Sequence, residues 1–153
     1  MSRRAAIVMS GEEADAFLAA QHTVTCATLG PRGWPHVMPL WYVLRDGELW
    51  AWTYAKSQKV RNLERDPRCT LQVESGREYA DLRGVMLECE AIVHRELEAV
   101  AALGTELAVR YGDGEPAAEA VAGIRRQAAK RVGLQFVERR RASWDHGKLG
   151  GAP

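Results

Sequence analysis

A chain of 153 residues is long enough for one domain with a core of its own. Hydrophobic residues make up 46% and charged residues 27%, the balance of a folded globular protein rather than of a disordered chain. The formal net charge of +1 gives no whole-molecule field to attract nucleic acid or anionic lipid, so neither is expected as a partner and any functional positive charge must be local.

Two arginines near the N-terminus precede a short apolar run. Gly11-Glu12-Glu13 ends that run short of signal-peptide length, and no later run approaches a membrane span. Cys26, Cys69 and Cys89 show no metal-ligand spacing. Each alternates with apolar residues in a strand-like run, so three buried free thiols in a cytoplasmic protein are expected.

The first helix starts at Ser10, with Glu13 three residues on in capping-box spacing and Phe17 and Leu18 on its apolar face. A β-rich segment, 22–30, runs into the turn Gly30-Pro31-Arg32-Gly33. Residues 36–54 then form a hairpin about Asp46-Gly47, the pair that two-residue type I′ turns prefer. That turn sets Leu44 opposite Leu49, Tyr42 opposite Ala51 and Leu40 opposite Thr53 on one face. Val43 with Trp50, Trp41 with Trp52 and Pro39 with Tyr54 share the other. Both faces are apolar, so both must be covered. Barrel closure accounts for one, and the second calls for a partner subunit or a large flat ligand.

A short helix follows from Ser57 to Asp66, then a strand at 68–74. The long strand at 82–96 points Val85, Leu87, Cys89, Ala91 and Val93 one way and Glu88, Glu90 and His94 the other. A helix carries Leu97, Val100, Leu103, Leu107 and Tyr111 at helical spacing. Another opens at Glu115-Pro116, with proline in its first turn, and carries Val121, Ile124 and Ala128. A last strand covers 132–140 and a tail covers 142–153. The sum is one α+β domain over 1–153, a six-stranded antiparallel barrel with peripheral helices. It divides into an N-terminal helix (1–21), a barrel core with the ligand segment (22–95), a helical insertion (96–130), and the last strand and tail (131–153).

Lys56, Lys59 and Arg61 crowd the start of the Ser57 helix, although a helix N-terminus already carries about half a positive charge. An anion resolves the conflict. First-turn N–H groups, the Ser57 hydroxyl and the three cations could together hold a phosphate. The bland alternative is a solvated surface with Lys59 and Arg61 paired to carboxylates such as Glu64. Position favours the anion, because the cluster directly follows a strand bearing Trp50, Trp52 and Tyr54, where a planar ring could stack.

The order TLGPRGWPHVMPLWYV, then DGELWAWTYAKSQKVRNLERDPRCTLQVE, then YADLRGVMLECEAIV resembles the pyridoxamine 5′-phosphate oxidase-like split-barrel family. It resembles most the actinobacterial branch of flavin- and deazaflavin-dependent oxidoreductases, many of which use coenzyme F420. The likeness runs from about His22 to His94 and resumes in the closing strand and SWDHGKL. It implies a homodimer with two cofactors at the subunit interface. The phosphate would be held by Lys56, Ser57, Lys59 and Arg61, with Val60 in the same segment. The ring would lie against His36, Val37, Met38, Pro39 and Leu40 on one strand and Trp52, Thr53 and Tyr54 on another. KVRN resembles F420-binding members, and the second set of basic residues that vitamin B6 oxidases use is missing.

The implied function is an F420-dependent oxidoreductase acting on a small unsaturated or quinone-like substrate. The alternatives are an FMN-binding oxidoreductase and a non-catalytic carrier of either cofactor. The cofactor itself carries the hydride, so no catalytic residue is assigned, and His36 or Tyr54 could at most supply a proton. Trp144-Asp145-His146 lacks a serine elbow and reads as a tail closing on the partner subunit.

Overall fold

The computed structural model describes residues 1–150; the last three residues of the tail lie outside them. Seven strands form one antiparallel sheet in the order β2-β1-β5-β6-β7-β4-β3. They are β1 (Val24–Leu29), β2 (Pro35–Leu40), β3 (Val43–Arg45), β4 (Glu48–Tyr54), β5 (Arg68–Ser75), β6 (Arg83–His94) and β7 (Arg131–Asp145). The helices are α1 (Arg3–Ala6), α2 (Gly11–Ala20), α3 (Gln58–Arg65), α4 (Leu97–Tyr111) and α5 (Ala118–Ala128).

The seventh strand corrects the single hairpin expected over 36–54. Near the turn the register holds: Val43 pairs with Trp50 and Leu44 with Leu49, and Asp46 and Gly47 take positive φ of 50° and 80°, as a type I′ turn requires. Beyond Val43 the ladder stops. The Tyr42 N–H donates to the Tyr111 hydroxyl at 3.0 Å, and that hydroxyl donates to the Tyr42 carbonyl at 2.9 Å. A side chain from α4 thus takes the backbone groups that would have continued the pairing. Residues 35–40 pair with β1 instead, Thr28 with His36 and Cys26 with Met38.

This break shapes the barrel. β2 and β3 lie at opposite edges of the sheet, yet only Trp41 and Tyr42 separate them in the chain. With about 3.8 Å between successive Cα atoms, the two edges are forced close together and the sheet must curl. No ladder joins β2 to β3 among the described residues, and the barrel stays split there.

Val24, Leu49, Ala51, Leu71, Val73, Val85, Leu87, Leu134 and Phe136 fill the interior. Phe17 and Leu18 of α2 and Val60 and Leu63 of α3 join the same core. The Tyr42 ring is fully buried and its hydroxyl donates to the Leu18 carbonyl.

The second covered face of β4 has its cover within the same chain, and neither a partner nor a ligand is needed for it. Helix α4 lays Leu103 and Leu107 against Val43, Trp50 and Trp52. Gly104 allows the close approach, since a Cβ there would meet the Trp52 ring at 2.4 Å. Pro116 lies before the α5 N-cap, Ala117, rather than in the first turn.

The last strand is also longer than expected. It skips Arg139 in a β-bulge, so that Glu88 faces Arg140 and Cys89 faces Glu138, and continues to Asp145 opposite Arg83. Gly84 leaves room for the Trp144 ring. The tail then docks on its own chain: the Asp145 N–H donates to the Ile7 carbonyl at 2.7 Å, and Lys148 Nζ donates to Glu13 at 2.6 Å. The three cysteines are free and buried, as expected. No described helix is long and apolar enough to cross a membrane.

Candidate functional site

The start of α3 is open. Ser57 is its N-cap, with φ −68° and ψ 155°, but makes no side-chain capping bond, and no acidic residue occupies the first turn. Its Oγ is buried without a hydrogen-bond partner. The first N–H groups of any α-helix lack an intrahelical acceptor, so this end presents an unfilled set of donors beside a hydroxyl. Lys56 and Arg61 stand exposed nearby and enter no ion pair among the described residues. Glu64, the carboxylate that could have neutralised them, pairs with Arg95.

Lys59 turns the other way. It is buried, and Nζ donates to Thr53 Oγ1 at 3.0 Å. Burial holds its pKa below the ordinary lysine value, with Cys26 nearby acting in the opposite direction. An ammonium has three donors and this one finds a single acceptor, with no carboxylate beside it. A hydrogen bond with Cys69 and the Lys59 charge draw the Cys26 thiol down, while burial pushes Cys89 up to about 12.

Strand β2 meets this helix through β1. Asn62 Nδ2 donates to Thr28 Oγ1 at 3.0 Å, both fully enclosed, and Thr28 is the strand partner of His36. Direct partners share a face, so His36, Met38 and Leu40 lie on the interior side with Thr28, Cys26 and Val24. His36 is half-buried, and its Nδ1 is buried with no hydrogen-bond partner. Leu40 packs against the core, but Met38 is 44% exposed. The interior of the split barrel is therefore open at this edge. Val37 and Pro39, on the outer side, are exposed too.

The structure places the remaining expected residues less uniformly. Val60 is a core residue and Thr53 is buried under Lys59. Trp52 is half-buried and already engaged: Gly104 of α4 lies against the edge of its ring, and the Arg131 guanidinium lies 4.6 Å from its centroid. Tyr54 is 57% exposed, with the same guanidinium 4.2 Å from its ring. Sequence reasoning missed Arg131 altogether. Its position opposite Tyr54 comes from the β4–β7 pairing, which joins residues 77 to 87 positions apart and leaves no local pattern.

The donor set suits a phosphorylated planar ligand. Uncapped amides, an unpartnered hydroxyl and two unpaired cations meet the needs of a phosphate, and the open His36–Met38 edge offers an unpartnered ring nitrogen beside apolar surface.

A seven-stranded antiparallel sheet split at one edge, with helices packed around it, defines a split-barrel protein. Residues 10–142 match the pyridoxamine 5′-phosphate oxidase family, and the chain belongs to it. Among solved structures, a conserved hypothetical protein from Mycobacterium tuberculosis is 43% identical, with 100% of this chain and 95% of that one covered at a TM-score of 0.91. An F420 reductase is 22% identical over 88% of this chain and 98% of its own, at a TM-score of 0.66. A FAD-binding protein from Mesorhizobium loti is 18% identical over 89% and 94%, at 0.64. These last two establish likeness of fold. No curated protein is significantly similar to the chain.

Proposed function

We propose that this chain is an oxidoreductase that binds coenzyme F420, with FMN as the alternative cofactor, and works as a homodimer on a small unsaturated or quinone-like substrate. The observation that carries the reading is the start of α3, where a buried, unpartnered Ser57 hydroxyl and uncapped amides stand beside the unpaired Lys56 and Arg61.

The bound deazaflavin or flavin would supply two-electron hydride chemistry. The chain's own residues bind and orient. Ser57, the first-turn amides, Lys56 and Arg61 hold the phosphate. Lys59 adds a buried positive charge behind it. His36 Nδ1 and the backbone of Met38 to Leu40 offer hydrogen-bonding groups to a ring edge, with Pro39 interrupting the amide row.

Support for the dimer comes from the exposed edge strand. Val37 and Met38 flank the opening, with Trp34 and Leu29 exposed beside them. A hollow of about 590 Å³ lies over the adjacent outer face, lined in part by Ala27, Leu29 and Pro35. An unpaired, apolar sheet edge is a surface that proteins normally cover.

Reconstitution tests the reading. The protein is titrated separately with F420 and with FMN, followed by ligand absorbance and tryptophan quenching. Saturable binding of F420 and its turnover with an enone or quinone are expected. Preference for FMN would move the cofactor assignment, tight binding without turnover would make the chain a carrier, and binding of neither would remove the reading.

A further inference from the structure

A separate hollow of about 550 Å³ opens where the C-terminal part of α5 meets the end of β4 and the start of β7. It is lined by Tyr54, Gly123, Arg126, Gln127, Lys130 and Arg131. Three of these are cations and none is acidic. None of the three enters an ion pair among the described residues, whereas Arg125, next in sequence to Arg126, binds Glu98 of α4. The negative end of the α5 dipole offsets part of the repulsion, but the last-turn carbonyls of Arg125 and Gln127 already accept the Ala129 and Lys130 amides.

Arg131 is held in place for use. Its guanidinium lies over the rings of Tyr54 and Trp52 at 4.2 and 4.6 Å, a cation–π arrangement that fixes its plane. Its Nε is buried with no hydrogen-bond partner. A guanidinium presents donors in a rigid fork matched to phosphate and carboxylate. An immobilised guanidinium with an unpartnered Nε, flanked by two exposed cations that have no counter-ion, leaves this hollow ready to accept an anion.

We propose that Arg126, Lys130 and Arg131 form a second anion-binding subsite that takes the phosphate or carboxylate groups of a small polyanion. It stands beside the α3 cap, not within it. The two are linked by the short run from Tyr54 to Ser57, whose N–H donates back to the Tyr54 carbonyl at 3.0 Å. The subsite does not depend on the redox reading and survives its failure.

Calorimetric titration with inorganic pyrophosphate, and separately with citrate, tests it on the whole protein. Tryptophan emission is recorded in parallel, because Arg131 covers Trp52. A saturable event is expected, with the better anion identifying phosphate or carboxylate as the natural group. Arg126→Gln with Lys130→Gln removes two exposed charges and leaves the core intact, which an unchanged thermal melt confirms. That variant is expected to lose about ten-fold in affinity per cation, whereas Ser57→Ala is expected to leave the event in place. Titration of the double variant as wild type, or no saturable event with either anion, overturns the proposal. So does an event that Ser57→Ala abolishes, since the anion would then sit at the α3 cap.

Discussion

Ser10 and Ser57 both cap helices from extended backbone, with φ and ψ of −65° and 167° at the first and −68° and 155° at the second. At Ser10 the chain completes the cap. Its Oγ accepts the Glu13 N–H at 3.1 Å, Glu13 returns a bond to the Ser10 N–H at 2.7 Å, and Lys148 settles on the same carboxylate. At Ser57 nothing arrives: the hydroxyl has no partner, the first turn has no acid, and the neighbouring cations have no carboxylate. One helix start is finished by its own chain and the other is left open. The difference sets a serine that stabilises the fold against the one on which the proposed phosphate site rests.

The largest effect should come from stripping the open end of its charge. Lys56→Ala with Arg61→Ala removes the two exposed, unpaired cations and is expected to weaken cofactor binding by several kcal/mol, at about 1.5–3 kcal/mol for each charge-assisted contact. Calorimetry with F420 and with FMN measures it. Unchanged affinity for both would reduce the contrast with Ser10 to an accident of surface charge.

Exchanging each serine for alanine sharpens the comparison at smaller amplitude. Ser10→Ala breaks a completed capping box and should cost about 1 kcal/mol of stability in denaturant melts, leaving ligand binding alone. Ser57→Ala has no bond to lose in the free protein, so its melt should scarcely move while cofactor affinity falls by about 1 kcal/mol. Equal stability losses at the two positions would mean that Ser57 is capped in solution by the chain itself.

Lys59 gives a pH-dependent version of the same test. Burial lowers its folded pKa, so between that value and the ordinary lysine value the unfolded chain binds more protons. Stability therefore rises with pH across this alkaline window. Lys59→Met keeps the bulk and removes the charge. It should flatten the rise in the alkaline range below the ordinary lysine value when urea melts are compared. Tyr42, pushed up to about 12 by burial, works in the opposite sense above its ordinary value. It is common to both proteins and cancels in the difference. A rise that persists in Lys59→Met would assign it to another group.

The open helix start was legible because its signal is local: Ser57, Lys56, Lys59 and Arg61 fall within six residues, and a dipole conflict needs no tertiary knowledge. The turn at Asp46-Gly47 and the alternation of β6 were legible for the same reason. What failed was pairing at a distance. The hairpin register could not be trusted past Val43 because a hydroxyl from Tyr111, 69 residues on, ends the ladder. The cover over Trp50 and Trp52 could not be assigned to α4 without knowing that Gly104 sits on the indole. Lys59 was grouped with Arg61 by spacing, yet the helix turns one inward to Thr53 and leaves the other in solvent. A glycine within the apolar stripe of a helix was the one trace of that packing in the sequence.

The far end of α3 supplies the last and smallest test. Asp66, the C-cap, puts an acid at the negative end of the helix, as unfavourable there as cations are at the start. Here the chain provides the counter-ion. The Asp66 carboxylate accepts from the Arg68 N–H at 3.1 Å and from its guanidinium at 3.0 and 2.7 Å. The hydrogen bonds with Arg68 bring the Asp66 pKa down to about 2. A depressed carboxylate contributes stability that is present above its unfolded value and is lost as pH falls through its folded one. For an exposed pair that contribution is small, so the titration is the better readout. Arg68→Ala keeps the N–H of residue 68 but removes the guanidinium, so the Asp66 midpoint should move upward toward the ordinary aspartate range, measured by carboxyl chemical shifts against pH. A midpoint that stays near 2 would show that the guanidinium is not what offsets the misplaced charge, and a missing counter-ion at the helix start would then be no sign of a ligand.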